Sequence, residues 1–125
     1  MPIFADRNIQ LQEGLSHKPQ YIKNMVRHVI LWKLNDELSA EEKQAIKSEM
    51  KSSLEGLLGK VPGLVEITIH IDGRLESSNA DVMLDSVLES PEALKGYATH
   101  PEHVAVANSK VRPYTVVRTC LDYEY

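Results

Sequence analysis

Cysteine occurs once, as Cys120, so no internal disulfide can form and the fold must be held by burial alone. Aromatic rings are also scarce, with one Phe and one Trp beside five Tyr. No apolar stretch approaches the roughly 20 residues of a membrane-spanning helix. Met1–Asn24 carries scattered charge and only short apolar pairs such as Ile3-Phe4, unlike the contiguous apolar region of a signal peptide. Clusters of positive charge are missing too: Lys43–Lys51 is interleaved with acidic residues, and 14 Lys and Arg face 18 Asp and Glu, a formal charge of −4. These absences speak against a disulfide-stapled scaffold, membrane insertion and a nucleic-acid surface, and a cytoplasmic location is expected. Six glycines are spread singly, with no glycine-rich loop between strand and helix, so no phosphate-bearing cofactor is expected.

What the chain does have is 125 residues, 42% of them hydrophobic, enough for one domain with its own core. The composition changes at Met25. Residues 1–24 are read as an N-terminal extension, whether an arm, a misassigned start or an expression remnant, and residues 25–125 as the domain.

Val26–Leu34 is rich in β-branched and aromatic residues and apolar on both faces, which predicts a strand covered on both sides. His28, Ile30 and Trp32 share one of those faces. Ser39-Ala40-Glu41-Glu42 fits a capping box, and Ile46, Met50, Leu54, Leu57, Leu58 and Val61 follow at helical spacing until Gly59 and Pro62-Gly63 end the helix. From Leu64 to Asp72, Val65, Ile67, Ile69 and Ile71 alternate with Glu66, Thr68 and His70, predicting a second strand. Asp81–Leu88 reads as a third. Ser90-Pro91-Glu92 then starts a second helix, which His100-Pro101 interrupts and which restarts as far as about Lys110. Thr115–Tyr123 is the fourth strand, with Cys120 expected to be buried in its middle.

The order β-α-β-β-α-β predicts an α+β, ferredoxin-like fold: a four-stranded antiparallel sheet with two helices on one face. Strands one, three and four carry apolar residues on the other face as well. A symmetric homodimer, sheet against sheet, is therefore expected, the alternative being that the N-terminal arm folds back over that face.

Five short pieces in this order carry a family resemblance: Arg27-His28, Val61-Pro62-Gly63, Glu89-Ser90, Tyr97-x-x-His100-Pro101-x-His103 and Leu121-Asp122-Tyr123. From Val26 to Tyr125 the chain resembles the stress-responsive A/B-barrel (Dabb) domains, a family of dimeric α+β barrels. Most members have no assigned activity, and some plant members are polyketide cyclases that use the Tyr and second His of the kink motif. The resemblance implies Tyr97 and His103 as a catalytic pair, with His28, His100, Ile30 and Trp32 lining the same cavity. In such a site a histidine removes an activated C–H proton and a phenol donates to the oxygen where charge develops; neither role needs a metal or a cofactor.

Each residue also has a plainer role open to it. His100 can cap the backbone freed by Pro101, Tyr97 can be a core aromatic, His103 can sit at a surface or interface, and His28 can be a satisfied core histidine. No specific metal site is expected, because Pro101 lies between His100 and His103 and there is no cysteine pair. The resulting expectation is a small, cofactor-free homodimer of undefined activity that binds a hydrophobic small molecule between sheet and helices. Two alternatives stay open: a cofactor-independent enzyme, cyclase-like or monooxygenase-like, using His103 and Tyr97, or a structural interaction module.

Overall fold

The structure, a computed structural model, describes residues 24–125. The segment read as an N-terminal extension, and with it the folded-back arm, lies outside the described residues apart from Asn24. The strands are β1 (Val26–Leu34), β2 (Leu64–His70), β3 (Val82–Leu88) and β4 (Thr115–Glu124), and the α-helices are α1 (Ala40–Glu55), α2 (Pro91–Thr99) and α3 (Pro101–Val106). A π-helical turn, Ala107–Val111, and a 3-10 turn, Arg112–Tyr114, connect α3 to β4. All pairings are antiparallel in the order β2-β3-β1-β4, which is the ferredoxin-like sheet. No helix among the described residues is long and apolar enough to cross a membrane.

Local chemistry places the element ends. Ser39 accepts from the Glu42 amide at 3.1 Å while the Glu42 carboxylate accepts from the Ser39 amide at 2.8 Å, closing the capping box of α1. The helix stops at Glu55, earlier than its apolar stripe suggests. Leu57 and Val61 are still buried, from the turns that follow, but Leu58 is 50% exposed and is not part of the core. Gly63 has a φ of +84°, and a Cβ there would come within 2.6 Å of the Ala93 Cβ, so only glycine lets the β2 entry lie against α2. The second predicted helix is two helices: His100 is extended, at φ −65° and ψ 133°, because the following proline excludes the helical region.

Period-two alternation misplaces one side chain in β2. The β2–β3 register shifts between Leu64 and Glu66, a bulge that spends one residue without a partner. Leu64, Ile67 and Ile69 therefore face the core, and Val65, expected beside them, is 45% exposed.

The helix-covered face is filled by Leu34, Met50, Leu54, Leu57, Ile69, Leu84 and Leu88, each at most 2% exposed. The opposite face has no helix over it. It displays Val29, Leu31 and Lys33 of β1 paired with Leu121, Thr119 and Val117 of β4, and Leu31 with Met83 of β3. Leu31, Val117, Leu121 and Tyr123 are 38%, 51%, 62% and 44% exposed, so this face is substantially apolar and open in the single chain. The apolar composition on both faces of β1 thus has different outcomes on its two sides, whereas β4, expected to be apolar on both, turns Arg118, Cys120 and Asp122 to the helix side.

Candidate functional site

Between α2, α3, the π-helical turn and the β1–β4 side of the sheet, the packing leaves a cavity of about 400 Å³. Ile30 and Trp32 line it from β1, Leu54 from α1, Leu84 from β3, and Leu94 and Ala98 from α2; its polar groups are His28, Tyr97, His103, Arg112, Thr115 and Arg118. The volume and the mixture of apolar wall with a few converging polar groups suit a small organic molecule.

Tyr97 stands at the centre. It is 1% exposed, and its hydroxyl has no hydrogen-bond partner. Burial pushes its pKa up to about 12, so the phenol keeps its proton and is a donor in search of an acceptor. The His103 ring lies 4.3 Å away, tilted by 38°, and the edge of His28 approaches from 5.9 Å.

His103 Nδ1 lies 3.2 Å from the Ala98 carbonyl oxygen. A carbonyl only accepts, so that nitrogen carries the hydrogen, and in the neutral ring Nε2 keeps its lone pair. Burial, with the positive charges of Arg112 and Arg118 behind it, holds the His103 pKa below its usual 6.5. His103 is therefore a neutral base at physiological pH, stacked against a protonated phenol.

His28 is 5% exposed, and its Nδ1 pairs with Oδ1 of Asp122, the residue opposite it in the β1–β4 register. This pairing turns the imidazole and fixes which edge faces Tyr97. The Cys120 thiol lies 3.9 Å from that nitrogen and donates to Asp122 at 3.5 Å. Contrary to its expected mid-strand burial, Cys120 is exposed, since no helix extends over its edge strand. Burial of the sulfur comes first and the Asp122 carboxylate second among the causes that raise its pKa, so it is a thiol rather than a ready nucleophile. The ligand atoms of His28, Cys120 and Asp122 lie within 4.8 Å of one another, a donor set of imidazole, sulfur and carboxylate compatible with a divalent transition metal.

Five of the six residues named from sequence therefore meet at this cavity: His28, Ile30, Trp32, Tyr97 and His103. His100 does not. Its Nδ1 accepts from the Glu102 amide at 3.1 Å and caps α3, and it faces a separate surface hollow with Pro62, Gly63 and Glu92. The physical reason is the Pro101 break, which spends the imidazole on an orphan amide and turns it away from His103. Arg112, Thr115, Arg118 and Asp122 are functional candidates that sequence reasoning missed. Asp122 was within reach, since the Leu121-Asp122-Tyr123 piece includes it; β4 alternates Arg118, Cys120 and Asp122 with Val117, Thr119 and Leu121, and nothing in that pattern shows which of the two sets meets the cavity.

The chain matches the family model of the Stress Responsive A/B Barrel Domain over residues 26–125. A dimeric protein of unknown function with a ferredoxin-like fold from Bacteroides fragilis is similar at 32% identity and a TM-score of 0.76, over 84% of this chain and 100% of that one. A dimeric ferredoxin-like protein of unknown function from Thermobifida fusca superposes with a TM-score of 0.70 at 21% identity, over 87% of this chain and 99% of the other. The hydroxynitrile lyase of Passiflora edulis shares the fold at 15% identity, with a TM-score of 0.66 over 81% of this chain and 93% of the lyase. No curated protein matches.

Proposed function

The chain belongs to the stress-responsive A/B-barrel domain family, and from that premise we propose that it works as a homodimer whose cavity binds a small, largely apolar molecule. The Tyr97 hydroxyl carries this reading. An unpartnered buried hydroxyl costs about 1–3 kcal/mol, and a carbonyl or similar acceptor on a bound molecule removes that cost. Dimerisation is supported by the open face carrying Leu31, Val117, Leu121 and Tyr123 and by the dimeric state of similar structures. A cytoplasmic site of action belongs to the same reading, with one free cysteine and no need of a disulfide.

Native mass spectrometry of the purified protein tests both parts at once. The expected result is a dimer that gains the mass of one small molecule per subunit when incubated with a cell extract. A monomer defeats the dimer, and a dimer that retains nothing from any extract defeats the ligand.

The neutral His103 favours a second reading, a cofactor-independent enzyme. Nε2 of His103 would remove an activated C–H proton, and the Tyr97 O–H would donate to the enolate oxygen as charge moves onto it. Deuterium exchange into simple β-diketones, followed by proton NMR, is expected to be faster with the parent than with His103→Gln; equal rates sink the enzymatic reading and leave binding.

A further inference from the structure

Two cations stand at the cavity without a counter-ion. Arg118 projects from the cavity side of β4, opposite Trp32 in the register, and Arg112 comes from the 3-10 turn; both line the cavity and both are exposed at its mouth. Among the described residues, Arg27 is paired with Asp85 and Arg74 with Asp81, at 2.7 and 3.0 Å, but neither Arg112 nor Arg118 has a carboxylate partner. Arg112 is oriented by the Asn108 side-chain oxygen, a neutral acceptor that leaves its charge uncompensated. Asp122, on the same side of β4, already pairs with His28. In a protein of net charge −4, two guanidiniums without a carboxylate partner over an apolar hollow, Arg118 resting against the Cys120 thiol and Arg112 against Asn108, are a local exception.

We propose that the mouth of this cavity is a carboxylate subsite, so that the ligand is a small amphipathic carboxylic acid. The proposal rests on the cavity-binding reading above and adds the chemical class. The hydrocarbon or aromatic body lies against Ile30, Trp32 and Leu94, and the carboxylate is held at the rim by the forked donors of Arg112 and Arg118. A second acceptor on the ligand, deeper in, meets the Tyr97 hydroxyl, which is buried and unpartnered. Amines are excluded by the same two charges. The influence of both arginines on His103 shows that they lie within electrostatic reach of the inner polar groups.

Hydrocinnamate and its uncharged amide, hydrocinnamamide, separate the terms, because they share the apolar body and differ in charge. Calorimetric titration of the full chain reads affinity, and the single tryptophan, at the cavity wall, reports occupancy by fluorescence. The acid is expected to bind about tenfold tighter than the amide at low salt. In the Arg112→Gln/Arg118→Gln double variant that preference is lost, so that acid and amide bind alike; both positions are exposed, and circular dichroism checks that the variant folds. Equal affinity of the parent for acid and amide, or a preference that survives in the variant, overturns the carboxylate subsite and leaves the cavity reading standing. Absence of binding by both probes overturns the two together.

Discussion

Beneath the helices, β2 and β3 send Ile67, Ile69 and Leu88 into contact with a core that includes Met50 and Leu54, whereas β4 sends Arg118, Cys120 and Asp122 to the same side of the sheet and meets a hollow. One layer of secondary structure thus has a filled end and an empty end. Branched aliphatic side chains interdigitate to near-crystalline density. Long polar side chains on an edge strand instead keep their heads at the rim, and the helices above contribute two rings that stack on each other, Tyr97 and His103, of which Tyr97 also meets His28 of β1. The break at His100-Pro101 and the π-helical turn beyond it hold that roof over the hollow. What the contrast teaches is that the fold's stability and its chemistry lie toward opposite ends of one face and share a wall, Leu54 and Leu84, where they meet.

Mutations at the two ends should differ in size and in sign. Leu88→Ala, at a position with no exposure, is expected to lower the unfolding free energy by about 2–5 kcal/mol, read from urea titration; a loss below about 1 kcal/mol would mean that the filled end is loosely packed. On the uncovered face, Leu121→Glu places a charge where the proposed partner sheet packs, and dimer association is expected to weaken on the order of a hundredfold. Sedimentation at several concentrations would show it, with an unchanged far-ultraviolet spectrum; a variant that stays dimeric moves the interface elsewhere. Tyr97→Phe removes only a hydroxyl that has no partner, so stability should hold or rise by up to about 3 kcal/mol while affinity for carbonyl-bearing ligands falls. Marked destabilisation would show that the hollow end is as well satisfied as the filled one.

The smallest expected effect is one of pH. The folded-state pKa of His103 is held below 6.5, so the unfolded chain binds a proton that the folded chain resists. This contribution to stability is fully present above about pH 6.5 and is lost as the pH falls into the window between that value and the lower folded pKa. Melting temperatures should therefore drop on acidification through that window, and His103→Gln should flatten part of the drop. Identical pH profiles for the two proteins would mean that the imidazole is freely solvated.

Much of this fold was readable residue by residue. Val26–Leu34 coincides with β1 because a run of β-branched and aromatic residues has few other comfortable conformations. The capping box at Ser39 and the cap at Ser90 depend on neighbours three residues away and so are visible locally. The bulge at Val65 was not visible, because one unpaired residue is set by β3 across the sheet, not by β2 itself. The early end of α1 belongs to the same class: Leu58 sits at helical spacing, but the chain has already turned toward β2. In the site, the family resemblance brought forward Tyr97 and His103, and it overreached at His100, whose imidazole was taken by the nearer backbone amide. The Asp122 partner of His28 lies 94 positions away in sequence and became a neighbour only through strand pairing.

By itself, the sequence determined the order of elements, their caps and breaks, and the need for a core without disulfides, since each follows from interactions within a few residues or from composition. Tertiary structure decided which apolar face is filled and which is left open, that two arginines and an orphaned hydroxyl share one hollow, and that a histidine from the first strand meets an aspartate from the last. Those are properties of register and of layers meeting at a distance. Local sequence cannot encode them one segment at a time, because each depends on where a remote strand comes to rest.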